Sequence, residues 1–129
     1  MKEFTTKNGA EVKINDAPFQ DAFLLKNEIQ KSLAEAKLDI KIDDNVESLL
    51  KAFLLIDSNE KVNQALFKCL ARCLYNNLKI NQDLFEDTKI REDYYEIVLA
   101  CLEVNILPFF KSLFSKLGDL KTMTLTKTL

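Results

Sequence analysis

The chain has no histidine and no tryptophan, and it has only two glycines and two prolines in 129 residues. Each shortage excludes something. Without histidine there is no Ser-His-Asp or Cys-His arrangement and no ordinary general base near neutral pH. With glycine only at Gly9 and Gly118, no phosphate-cradling loop can be assembled. The adjacent acids Asp43-Asp44 and Glu86-Asp87 fall in cap and loop contexts, where capping and solvation account for them. No set of nucleophile, base and orienting group can be put together, so the chain reads as a non-enzyme with no catalytic residue and no cofactor. Cysteine is scarce and odd in number: Cys69, Cys73 and Cys101. A structural zinc site needs four ligands, so no metal is expected, and the thiols read as reduced, buried small hydrophobes. No apolar run approaches membrane-spanning length, and the opening MKEFTTKNG lacks the apolar core of a signal peptide. A formal charge of −2 lacks the concentrated positive surface that phosphate binding demands. The expectation is a cytoplasmic protein with neither nucleic acid nor membrane as partner.

What is present is apolar patterning. Hydrophobic residues make up 47% of the chain and charged ones 29%, enough for one domain with a sizeable core. Residues 2–15 read as a β-hairpin about a type I′ turn at Asn8-Gly9, with Val12 and Ile14 alternating against Glu11 and Lys13. A lone hairpin is marginal, so it must pack on a helix or pair with another strand. A first helix is predicted from about Ala17 to Lys37, capped by Asp16, with Phe19, Ala22, Phe23, Ile29, Leu33 and Ala36 as its buried stripe. Residues 38–43 read as a connection that touches the core, or a short strand. A second helix follows from about Asn45 to Ile56, with Asp44 as N-cap and Glu47 at the third position. A third runs from about Glu60 to Asn76, ended by Asn76-Asn77. Asn81 caps a short turn through Leu84-Phe85-Glu86.

The stretch from Arg91 to Leu117 organises the rest. Tyr94, Ile97, Val98, Cys101, Leu102 and Ile106 keep helical spacing before Pro108, and Phe110, Leu113, Phe114 and Leu117 keep it afterwards. Pro108 predicts a kink or break, and Gly118 a stop. Six acids between Asp83 and Glu96, against Lys89 and Arg91, form either an acidic docking surface or a solvated face near a helix N-terminus; the second is the simpler account. Residues 119–129, rich in alternating threonine, read as a free or partner-bound tail. The fold expected is mainly α: one helical domain over residues 1–118, a bundle of about five helices with a small N-terminal hairpin and a kinked C-terminal helix.

Three stretches together carry a family likeness: FTTKNGAEVKINDAPFQDAFLLKNEI from Phe4, ALFKCLARCLYN from Ala65, and FEDTKIREDYYEIVLACLEVNILPFF from Phe85. The chain resembles the tail assembly chaperones of long, non-contractile-tailed bacteriophages infecting Gram-positive bacteria. The most specific part pairs Arg91–Tyr95 with Asn105–Phe110. The resemblance implies a protein of the host cytoplasm that binds the tape measure protein. It keeps that client soluble, hands it over as tail tube protein polymerises, and is absent from the mature virion. In such families a longer form is often made by frameshifting. A client that is long, helical and striped with apolar residues calls for a groove that accepts an amphipathic helix. The candidate partner-binding residues are Phe109, Phe110, Leu113, Phe114 and Leu117, on the view that aromatic density after Pro108 exceeds what a small domain's end needs. Self-association into a ring or spiral is the accompanying expectation. Two other readings are a small helical DNA-binding regulator, with the turn at residues 57–59 inside a helix-turn-helix, and a structural subunit retained in the virion. The first offers only Asn59, Asn63 and Gln64 to read bases.

Overall fold

A computed structural model describes residues 1–37 and 45–111. The chain forms β1 (Lys2–Thr5), β2 (Glu11–Ile14), α1 (Phe19–Glu35), α2 (Val46–Leu54), α3 (Glu60–Leu70), β3 (Leu74–Tyr75) and β4 (Leu78–Lys79). A 3-10 turn (Gln82–Glu86), α4 (Thr88–Arg91) and α5 (Tyr94–Asn105) follow. The four strands make one antiparallel sheet in the order β1-β2-β3-β4. This corrects the mainly α expectation: the N-terminal hairpin is half of a larger sheet, and the architecture is α+β.

The correction has a local cause. Helix α3 stops at Leu70, not near Asn76, because the chain reverses at once into a second hairpin. Asn76 and Asn77 carry positive φ angles of 48° and 65°, the type I′ geometry that joins two strands across a two-residue loop. That geometry had been predicted for Asn8-Gly9. There the Gly9 N–H bonds the Thr6 carbonyl and only Gly9 is left-handed, at φ 86°, so the loop is a turn followed by a glycine bulge. Asn8 is held elsewhere, its amide donating to Glu92 and Asp93. The two hairpins join through β2 and β3, where Val12 faces Tyr75 and Lys13 faces Leu74. Asn76 ties the seam: its N–H donates to the Glu11 carbonyl and its side-chain oxygen accepts from the Glu11 N–H, both at 2.8 Å.

Helix α5 is the centre. Ile97, Val98, Ala100, Cys101 and Leu102 are buried, α2 packs along it, and β2 lays Val12 and Ile14 into the same core. Helix α1 packs chiefly on α3 through Leu25, Ile29 and Leu33. Each such fully buried aliphatic side chain contributes about 1.5–3 kcal/mol. Capping departs from expectation at two starts. Pro18, not Asp16, stands at the N-cap of α1, where its missing N–H costs nothing. Asn45 caps α2 by accepting from the Glu47 N–H; Asp44 lies outside the described residues. Asn81 caps the 3-10 turn by accepting from the Leu84 N–H, and Asp87 caps α4 the same way from Lys89. The helix breaks at Ile106 and resumes over residues 107–111, which places Pro108 in a first turn that tolerates it. The connection at 38–43, the helix predicted onward to Leu117, the Gly118 stop and the tail at 119–129 lie outside the described residues.

Candidate interaction site

Two features of α5 set the site: a buried polar knot at its start and an aromatic face beyond its end. At the start, Asp93 is fully buried. Its carboxylate accepts from the Thr6 hydroxyl at 3.0 Å, the Tyr75 hydroxyl at 2.6 Å and the Asn8 amide at 3.0 Å. One carboxylate thus gathers the first hairpin, strand β3 and α5. Burial first, and then the bond to Asp93, push the Tyr75 phenol up to about 12. Around it the acids predicted as a solvated face are mostly spoken for. Asp87 caps α4, Glu92 accepts from Asn8, and Glu96 accepts from the Lys7 N–H. Asp93 itself is the opposite of solvated. The sequence signal for it, an acid at a helix start with Thr6, Asn8 and Tyr75 far away in the chain, is not a local one.

An aromatic ladder climbs from the knot. Tyr94 meets Phe85 edge-on at 5.1 Å and Tyr95 at 5.0 Å, and the Tyr95 hydroxyl donates to Asp57 at 2.6 Å. Burial, then the neighbouring Tyr95 and Asp57, push Tyr94 up to about 12, and the bond to Asp57 raises Tyr95. Beside α5 the three thiols sit buried and unpaired as disulfides. Contact with Cys69 and burial hold Cys101 well above the usual thiol range, and burial raises Cys73.

At the far end of α5, Asn105 accepts from the Ala17 N–H at 2.8 Å and so fixes where α1 begins. That lock sets Phe19 and Phe23 beside Phe109. Phe19 and Phe23 stack at 5.3 Å, and each lies 6.0 Å from Phe109. Phe19 is 67% exposed and Phe23 40%. Neither belongs to the buried stripe of α1, as their spacing had suggested. Leu25 takes the inside position instead, with Ala22, Ile29 and Leu33, and the helix is rotated so that both rings lie on its flank. An open groove of about 410 Å³ runs alongside, lined by Asp16, Ala17, Phe19, Ala22, Val104 and Pro108 among others.

Of the partner-binding residues proposed from sequence, Phe109 lies in this cluster and is half-buried. Phe110 points inward and is 2% exposed, part of the core. Leu113, Phe114 and Leu117 lie outside the described residues. A second exposed apolar patch, Leu54 and Leu55 at the end of α2, lies towards the first turn of α5, where Tyr95 bonds Asp57. Among the described residues no helix is long and apolar enough to cross a membrane, and no group of acids and cysteines has the spacing to hold a metal ion.

The described residues form an α+β domain that exposes Phe19, Phe23, Leu54 and Leu55. The chain belongs to the phage tail assembly chaperone (TAC) protein family, whose model matches residues 8–118. The protein is therefore a chaperone of tail assembly. No curated protein and no solved structure matches the chain.

Proposed function

We propose that this chaperone binds the tape measure protein and keeps it soluble until the tail tube forms around it, acting in the host cytoplasm and leaving before the virion is complete. Membership of the family supports a role in tail assembly. The observation that carries the finer reading is the aromatic cluster of exposed Phe19 and Phe23 with half-buried Phe109. Large aromatic side chains held open on a rigid helix are what a groove for an amphipathic helix requires. Leu113, Phe114 and Leu117, which keep helical spacing with Phe110 in the sequence, are further candidates for client binding. Self-association into a ring or spiral accompanies this function. The two apolar patches, one at each end of α5, suit a head-to-tail contact between copies, the kind that closes a ring or winds a spiral.

The test is co-expression with the tape measure protein of the same phage, followed by size-exclusion chromatography with light scattering. Tape measure protein that is soluble only with this chain, and co-elutes with it as a complex of several copies, is the expected result. An insoluble tape measure protein beside a lone monomer of this chain would refute the reading.

A further inference from the structure

We propose that the aromatic groove selects a helix whose apolar anchor is flanked, within about one turn, by a carboxylate, and that Lys26 is the residue that reads it. The inference rests on the reading of this face as the client site and names the chemistry of the client. Lys26 follows Phe19 and Phe23 on the same flank of α1 by helical spacing. Its ammonium lies 4.7 Å from the Phe23 ring centre and 5.9 Å from that of Phe109. A cation over two ring faces is attracted by their quadrupoles, which biases its position towards the rings. Among the described residues it has no carboxylate partner. The acid at the other end of the groove, Asp16, is already paired with the amino group of Met1 at 2.9 Å. The aromatic cluster beside the groove therefore presents apolar rings and, over Phe23 and Phe109, one positive charge with no ion-pair partner among the described residues.

Charge complementarity then specifies the occupant. A leucine- or phenylalanine-bearing helix face fits against the rings. A glutamate or aspartate three or four residues along from the anchor meets Lys26, because those positions share a helix face. Docking excludes water from the pair and strengthens it relative to an exposed one. A basic residue at the same place meets the ammonium with like charge and is disfavoured.

The experiment uses the full chain and two synthetic amphipathic helical peptides with identical leucine stripes, one carrying glutamate and one lysine at the flanking positions. Binding is read by fluorescence anisotropy. The wild-type chain is expected to prefer the glutamate peptide by about threefold to tenfold, and Lys26→Glu to reverse that preference. Equal binding of both peptides, unchanged by Lys26→Glu, would overturn the proposal and leave Lys26 as a cover for the rings. The double variant Phe19→Ala/Phe23→Ala separates this from the reading beneath it. Both side chains are exposed, so the fold survives their loss, as circular dichroism will report. If that variant binds both peptides as well as wild type, the groove is not the client site at all. If neither peptide binds wild type, and light scattering shows an oligomer that the double variant dissolves, the occupant is a second copy and the proposal falls.

Discussion

Asp93 is a fully buried carboxylate with three side-chain donors, and it couples the first hairpin, β3 and α5. Asp93→Ala strands the Thr6 and Tyr75 hydroxyls without their acceptor. Charged hydrogen bonds of this kind contribute about 1.5–3 kcal/mol each, partly offset by removing a buried charge, so urea unfolding should show a loss of about 2–4 kcal/mol. A change below about 1 kcal/mol would mean that the knot is incidental. The same environment governs the tyrosines. All three phenols are raised, Tyr75 and Tyr94 to about 12. A native value above the unfolded one, near 10, means the folded state holds the proton more tightly. The associated stabilisation is fully present below about pH 10 and is lost as pH rises towards 12. Near-ultraviolet titration at about pH 10.5 should show Tyr75 and Tyr94 still almost wholly protonated in the native protein, and more than half of the phenols ionised in the urea-unfolded chain. Normal titration of all three in the folded state would contradict the burial and hydrogen bonds described.

At the scale of elements, the two hairpin turns make the same demand, a left-handed residue that glycine meets best. Asn77 is left-handed in a type I′ turn, for which Asn-Gly is the preferred pair, so Asn77→Gly should stabilise by about 0.5–1 kcal/mol. Gly9 is also left-handed, and a Cβ there meets nothing within 4 Å. Gly9→Ala should therefore cost about 1–2 kcal/mol from backbone conformation alone. Thermal melts of both variants check the pair, and loss in both or gain in both would contradict the turn assignment. These turns also show what could be read in advance. Asn8-Gly9 marked a hairpin because the dipeptide is a local signal, although its turn type depended on Asn8 being drawn to Glu92 and Asp93, which no local pattern reveals. Asn76-Asn77 reads as a helix stop because Leu74-Tyr75 and Leu78-Lys79 are too short to show alternation, and β3 exists only through its pairing with β2 and β4. The break ahead of Pro108 and the cap at Asn81 are set by backbone chemistry within a few residues, and both were legible. The rotation of α1 was not. Two overlapping apolar stripes fit one helix, and only packing, chiefly against α3, decides that Leu25 goes in while Phe19 and Phe23 stay out. The candidate site inherits that ambiguity: Phe109 stands out by its place after the proline, while the spacing of its ring partners on α1 fits a core stripe equally well.

For the molecule as a whole, the core is sealed and the faces are open. Cys69, Cys73 and Cys101 are all buried, and the thiols of Cys73 and Cys101 are raised, so a thiol reagent should modify none of the three in the native protein within the time that labels all three in urea. Rapid native labelling would mean that the core opens readily. Against that closed interior, Phe19 and Phe23 stand out as exposed apolar surface, packed on half-buried Phe109. The account's central claim is that this face holds the tape measure protein. The most direct measurement is the soluble fraction of the tape measure protein co-expressed with wild type or with Phe19→Ala/Phe23→Ala. A soluble complex with wild type and at least about a tenfold loss with the variant, from deletion of two exposed aromatic anchors, is the predicted result. Equal solubility with a folded variant would show that the client is held elsewhere.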